Sequence, residues 1–191
     1  MGNRRLGAQR LDTLLRRGVQ GRDTAYQAGA SISPAIVSHR MYNEGAFIIT
    51  EICLDLGVST TDIRASDAAD EPISTEGATT DAHLMLWEND IHGVPYFAET
   101  YIIEAATTVT AMSLRYGDVS AARDAALTNG ADLLAGFACN AAALGASALL
   151  TGTPDGKYVH LTADNNADTT LNAGQMIIRL VGIKAGDVDL S

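Results

Sequence analysis

AFIITEICLDL, residues 46–56, decides how the rest of the chain reads. Taken with a period of two, Ile48, Thr50, Ile52, Leu54 and Leu56 fall on one side, and Phe47, Ile49, Glu51, Cys53 and Asp55 on the other. The first set is almost wholly apolar and the second is mixed. That is the pattern of a strand in an antiparallel sheet with one face on a core and the other partly wet. Gly45 and Gly57 bound the run, which at about 3.4 Å per residue spans roughly 37 Å, long for a strand. The run also divides the chain by character: the residues before it are basic and lack a core pattern, and those after it are acidic and read as strand after strand.

Upstream, residues 1–22 carry six arginines (Arg4, Arg5, Arg10, Arg16, Arg17 and Arg22) against the single acid Asp12, a net +5. The whole chain carries -10, so the remainder holds -15. This split describes a basic arm on an acidic body, with the arm as the part that meets a partner. Leu11, Leu14 and Leu15 stand at i, i+3 and i+4, so residues 9–17 form a short helix when docked; a helix this short is marginal alone in water. Residues 18–29 are a polar linker, and Pro34 opens a run over 35–40 that suits an edge strand. The arm lacks the uninterrupted apolar run of a secretory signal, which places synthesis in the cytoplasm. Residues 133–150 hold no charge, yet Ala and Gly predominate, Asn140 is central and basic anchors are lacking, so no membrane span is expected. Cys53 and Cys139 form no metal-type or redox-type spacing and read as two small buried residues in a reducing compartment.

Downstream, residues 59–80 read as an exposed acidic loop. Residues 83–88 alternate, with His83, Met85 and Trp87 opposite Leu84 and Leu86, and Gly93 and Pro95 mark a turn. Residues 96–104 and 107–116 read as a tight hairpin or one long bent strand. Residues 118–147 are rich in Ala but interrupted by Asn129, Gly130, Gly136 and Gly145, and read as a loop with a short helical turn. Strand patterns return at 158–163 and at 175–184, the latter apolar on both sides around Arg179 and therefore central. At 191 residues the chain fits one domain that buries about 70% of its unfolded surface. Seven or eight strands with no repeating β-helix-β unit point to an all-β, jelly-roll-like two-sheet antiparallel β-sandwich with an extended basic N-terminal arm. Residues 1–33 are the arm and linker, and 34–191 the β-sandwich body.

Sites for chemistry are sparse. Trp87, Glu88, Asn89, Asp90 and His92 place two carboxylates and an imidazole close together, but a metal needs ligands converging from rigid elements, and a polar loop is the better reading. Asp164, Asn166 and Asp168 imitate the start of a calcium loop, yet Thr169 stands where glycine is needed and Gln175 where the bidentate Glu belongs. No serine has the flanking glycines of a nucleophile elbow. His39, His83, His92 and His160 show no partner pattern, and Glu99 and Glu104 read as wet strand positions rather than an acid-base pair. The expectation is a structural or binding protein, with no catalytic residue, metal or cofactor. In the arm, six arginines suit either phosphates, with a salt slope reaching about -5, or carboxylates on another protein. Nucleic acid is disfavoured, because no aromatic residue precedes Tyr26 and the acidic body repels a polyanion.

NRRLGAQRL at 3–11, FIITEICLDLG at 47–57 and LNAGQMIIRLVGI at 171–183 resemble small virion structural proteins of tailed bacteriophages, especially marine ones. The resemblance covers both ends of the chain and is poor through 118–147. It implies a decoration, or cement, protein on the capsid surface of the virion, made in the bacterial host cytoplasm. Such a protein is β-rich, often a homotrimer, and clamps neighbouring major capsid subunits. The capsid-binding residues would be Arg4, Arg5, Arg10, Arg16, Arg17 and Arg22 with Leu11, Leu14 and Leu15. Two alternatives stand beside it: a coat or internal virion protein whose arm contacts the genome, and a free β-sandwich ligand-binding module. Strands apolar on both faces also favour a homotrimer, since a chain this short lacks helices to cover them.

Overall fold

A computed structural model describes residues 28–32, 37–57, 63–65, 71–77, 79, 81–123, 125–150, 152–163 and 168–184. Among the described residues twelve strands and one four-residue helix succeed one another: β1 (Val37–Glu44), β2 (Phe47–Asp55), β3 (Ile63–Ala65), β4 (Ser74–Thr75), β5 (Met85–Trp87), α1 (Asn89–His92), β6 (Val94–Glu104), β7 (Ala111–Gly117), β8 (Ala131–Ala138), β9 (Ala143–Leu149), β10 (Lys157–Ala163), β11 (Thr169–Thr170) and β12 (Gln175–Ile183). The described chain is all-β, and its strand pairings are antiparallel throughout.

Three sheets form: a five-stranded one ordered β1-β2-β12-β6-β9, a four-stranded one ordered β5-β10-β7-β8, and a small one ordered β11-β3-β4. Four pairings are nested in the sequence, β7 with β8, β6 with β9, β5 with β10, and β2 with β12. Ile52, Leu54, Ala98, Met176, Ile178 and Leu180 from the first sheet share one core with Met85, Trp87, Met112, Leu114, Phe137, Val159 and Leu161 from the second. Period-two patterning in β2, β10 and β12 puts alternate apolar side chains on this core, and the removal of their surface from water is the main stabilising force. As expected, β12 is central: β2 flanks it on one side and β6 on the other. Of the edge strand expected at 35–40, the described residues from 37 on fall in β1 (Val37–Glu44), at the edge of the five-stranded sheet.

Three expectations are corrected. Residues 59–80 are not simply an exposed loop: β3 and β4 lie there, and Ile63, Ala65, Ile73 and Ser74 are buried. The runs at 96–104 and 107–116 are neither a hairpin nor one bent strand, because β6 belongs to the five-stranded sheet and β7 to the four-stranded one. Residues 118–147 contain β8 and most of β9 rather than a loop with a helical turn. In β8 the register slips twice against β7, around Ser113 and between Leu114 and Arg115, and Gly136 has φ 54°. Each slip inserts an extra residue, so the buried Leu133, Leu134 and Phe137 lose the period of two that marks a strand.

The polar cluster after β5 folds as α1, not as a loop. The helix ends at Gly93 (φ 78°), and a Cβ on Gly182 of β12 would come within 1.9 Å of the His92 carbonyl oxygen. Only glycine lets the helix end approach the strand this closely. His92 thereby reaches Thr50 on the core side of β2, its Nδ1 3.1 Å from Thr50 Oγ1.

Candidate functional site

The expected capsid-binding residues Arg4, Arg5, Arg10, Leu11, Leu14, Leu15, Arg16, Arg17 and Arg22 lie outside the described residues, as do Asp164 and Asn166. Among the described residues no group of three or more His, Cys, Asp or Glu side chains is placed to hold a metal ion. No described helix is long and apolar enough to cross a membrane. Asp168 is an ion-pair partner: it lies 2.6 Å from the buried Arg123 and 3.4 Å from Arg64, while Glu76 lies 2.5 Å from Arg64. This network pins the small sheet to the body.

Of the four histidines, His92 and His160 are buried and His39 and His83 partly so. Ala121 N–H donates to His160 Nε2 at 3.2 Å, and His160 Nδ1 lies 3.1 Å from the Tyr158 carbonyl, which can only accept. The ring is therefore neutral with its proton on Nδ1. Burial pushes its pKa down to about 3, with His83 adding to the effect. Burial likewise lowers His92 to about 4 and depresses His39, whose Nε2 lies 2.9 Å from the Leu84 carbonyl. His83 Nδ1 lies 2.6 Å from Ser120 Oγ, a serine-histidine contact that spacing did not reveal because 37 residues separate the two.

The outer side of the five-stranded sheet is the surface most unlike a finished exterior. Among the described residues the large exposed hydrophobic side chains are Phe47, Val94, Tyr96, Tyr101, Ile103, Leu144, Leu149 and Val119, and all but Val119 are on this sheet. Register places three of them, Tyr101, Leu144 and Leu149, in rows across the strands with less exposed side chains, among them Ile49, which is 2% exposed. Tyr42, Ile49, Val181, Phe97 and Leu149 make one row. Ser38, Cys53, Ile177, Tyr101 and Leu144 make another. Phe47 stacks on Tyr96 beyond the first, ring centroids 5.7 Å apart.

Between the two apolar rows runs a line of alternating charge: Arg40 on β1, Glu51 on β2, Arg179 on β12 and Glu99 on β6. Arg40 Nε donates to Glu51 Oε2 at 2.8 Å, and Arg179 lies 3.4 Å from Glu99. Tyr42 donates to Glu51 at 2.9 Å and Tyr101 to Glu99 at 2.8 Å. The bond to Glu99 raises the Tyr101 hydroxyl pKa, so it stays a donor. Glu99 is thus paired rather than simply wet. Opposite charges side by side across strands stabilise a sheet modestly and allow charge on an otherwise apolar face. Sequence reading found Arg179 amid apolar residues but not this row, since alignment across four strands depends on register. Comparison with known protein families, curated proteins and solved structures gives no match to the chain.

Proposed function

We propose that this chain is a capsid decoration (cement) protein, bound to the outer surface of a tailed-phage head and stabilising contacts between major capsid subunits. The observation that carries the reading is the outer side of the five-stranded sheet, an apolar surface crossed by paired charges. A contiguous apolar patch on a soluble protein marks an interaction surface. The nested pairings support the finer jelly-roll reading, since eight strands ordered β2-β12-β6-β9 and β5-β10-β7-β8 have the double Greek-key arrangement. In this proposal the six arginines of the arm supply the attachment to an acidic capsid surface, and several arms acting together make a weak contact persistent.

The test is co-sedimentation of the full chain with capsids that lack it, beside a variant in which Arg4, Arg5, Arg10, Arg16, Arg17 and Arg22 are replaced by serine. The wild type is expected to pellet with the particles and the variant to remain in solution. Equal pelleting of both refutes the arm's role. The six arginines also favour the genome-contact alternative, whose signature is a DNA mobility shift at physiological salt that fades steeply as salt rises.

A further inference from the structure

We propose that the outer side of the five-stranded sheet is self-complementary, and that a second copy of this chain packs on it face to face about a two-fold axis running along the strands. The inference uses the surface that carries the capsid reading: with a second copy covering this face, the arm is what is left to meet a capsid, so light scattering tests the one and co-sedimentation the other. It rests on the order of signs in the row Arg40, Glu51, Arg179, Glu99, which is plus, minus, plus, minus across β1, β2, β12 and β6. Reversed, that row reads minus, plus, minus, plus. Turning a second copy about an axis between β2 and β12 sets Arg40 of each copy opposite Glu99 of the other, and Glu51 opposite Arg179.

The same operation lays apolar rows on themselves. Tyr42 meets Phe97 and Ile49 meets Val181; on the far side Cys53 meets Ile177 and Ser38 meets Tyr101. Two sheets packed in this way lie about 10 Å apart with their strands within about 30° of each other. A two-fold axis across the strands instead places Arg40 on Arg40 and Glu51 on Glu51, which like-charge repulsion opposes. The sign pattern therefore selects one axis. Each charge already has a partner of opposite sign within its own sheet, which lowers the cost of removing it from water when the copies meet. Glu44 reaches inward over β2 to its own Arg179, 3.6 Å away, Asp55 and Glu104 at the strand ends are left on the rim, and β9 projects past the edge of the facing copy. Because the row matches its own reversal, a second copy supplies the complementary charges in register, and it is the occupant this surface fits.

The test inverts the row as a whole: Arg40→Glu, Glu51→Arg, Arg179→Glu and Glu99→Arg in one chain. Cross-strand pairing is preserved, so folding is expected. By light scattering at micromolar concentration, wild type and variant are each expected near 40 kDa, twice the 20.0 kDa chain. Mixed, they are expected to sort into separate pairs, because each cross-pair sets like charges opposite. Free mixing, preferential mixed pairing, a 20.0 kDa species at all concentrations, or a mass of three chains each overturns the proposal. If the variant does not fold, the wild type still decides the matter. Cys53 is exposed on this face and Cys139 is buried. The Cys53 alkylation rate is expected to fall about tenfold or more as the protein is concentrated from nanomolar to micromolar, and a constant rate overturns the proposal.

Discussion

The four-stranded and five-stranded sheets close on the same core, yet their outward sides are finished by different means. On the four-stranded sheet the chain covers its own work: the segment after β7 returns across it, Ala121 joins Ala82 and His160 by hydrogen bonds, and Arg123 and Leu127 are buried. On the five-stranded sheet, among the described residues, Tyr101, Leu144 and Leu149 stand 40%, 56% and 63% exposed. A face covered from within can bury polar groups, because one chain supplies both partners of each hydrogen bond. A face left open has to be apolar enough to bind and charged enough to keep the free molecule in solution. His160 is a solution of the first kind, and the Arg40 to Glu99 row is one of the second.

The contrast is removed altogether by striking what both sheets share. Ile178 is fully buried beneath β12, and Ile178→Asp is expected to abolish the cooperative unfolding transition, since an unpaired buried charge costs several kcal/mol. A folded variant melting within a few degrees of wild type would be the contrary result.

Acid attacks the covered side next. His92 and His160 titrate at about 4 and about 3 in the fold, against an ordinary value of 6.5. Between those limits the unfolded chain binds more protons than the folded one, so stability rises with pH across this window and is lost as pH falls below 6.5. Lowering pH from 7 to 4 is expected to remove on the order of several kcal/mol. Denaturant titrations at several pH values measure the slope, and His160→Gln is expected to flatten it; an unchanged slope would sink the assignment.

Smaller again is the ion-pair network under the small sheet. Asp168→Ala removes the carboxylate 2.6 Å from the buried Arg123. The expected loss is about 3 kcal/mol by chemical denaturation, and no loss would mean that Arg123 finds water.

The most direct comparison makes one change on both sides. Leu127→Ala, on the covered side and 7% exposed, is expected to cost about 2 kcal/mol. Leu149→Ala, on the open side and 63% exposed, is expected to cost about 0.5 kcal/mol or less in dilute protein. Equal costs would mean that the two faces are not differently finished.

How much of this was legible depends on where the chain keeps a regular period. β2, β10 and β12 could be read because their core positions recur every second residue, and the pairings of β2 with β12 and of β10 with β7 run without a slip. β8 could not, since two extra residues scatter its buried leucines. Alanine in β8 and β9 favours helices by propensity, but pairing with β7 and β6 overrides that weak preference. The passage of the chain from β6 to β7 between sheets has no local signature at all. Within the candidate surface, the apolar outer positions of β2 and β12 were visible one strand at a time. Their arrangement into rows was not, because a row joins residues from 40 to 179 and exists only once register is set.

The central place of β12 has a consequence for how the protein is made. Asp55 and Gln175, paired across β2 and β12, are 120 residues apart, and at about 5–20 residues per second that interval lasts roughly 6–24 s on the ribosome. Until β12 emerges, β2 and β6 lack the strand that joins them, and each carries a row of unsatisfied amides and carbonyls. Hairpins such as β1-β2 and β7-β8 can form early, but the five-stranded sheet closes only late and through distant pairings, a pattern associated with slow folding. Nascent chains are therefore most vulnerable to sticking together during translation of the stretch between β6 and β12, when the strands awaiting a partner are already outside the ribosome.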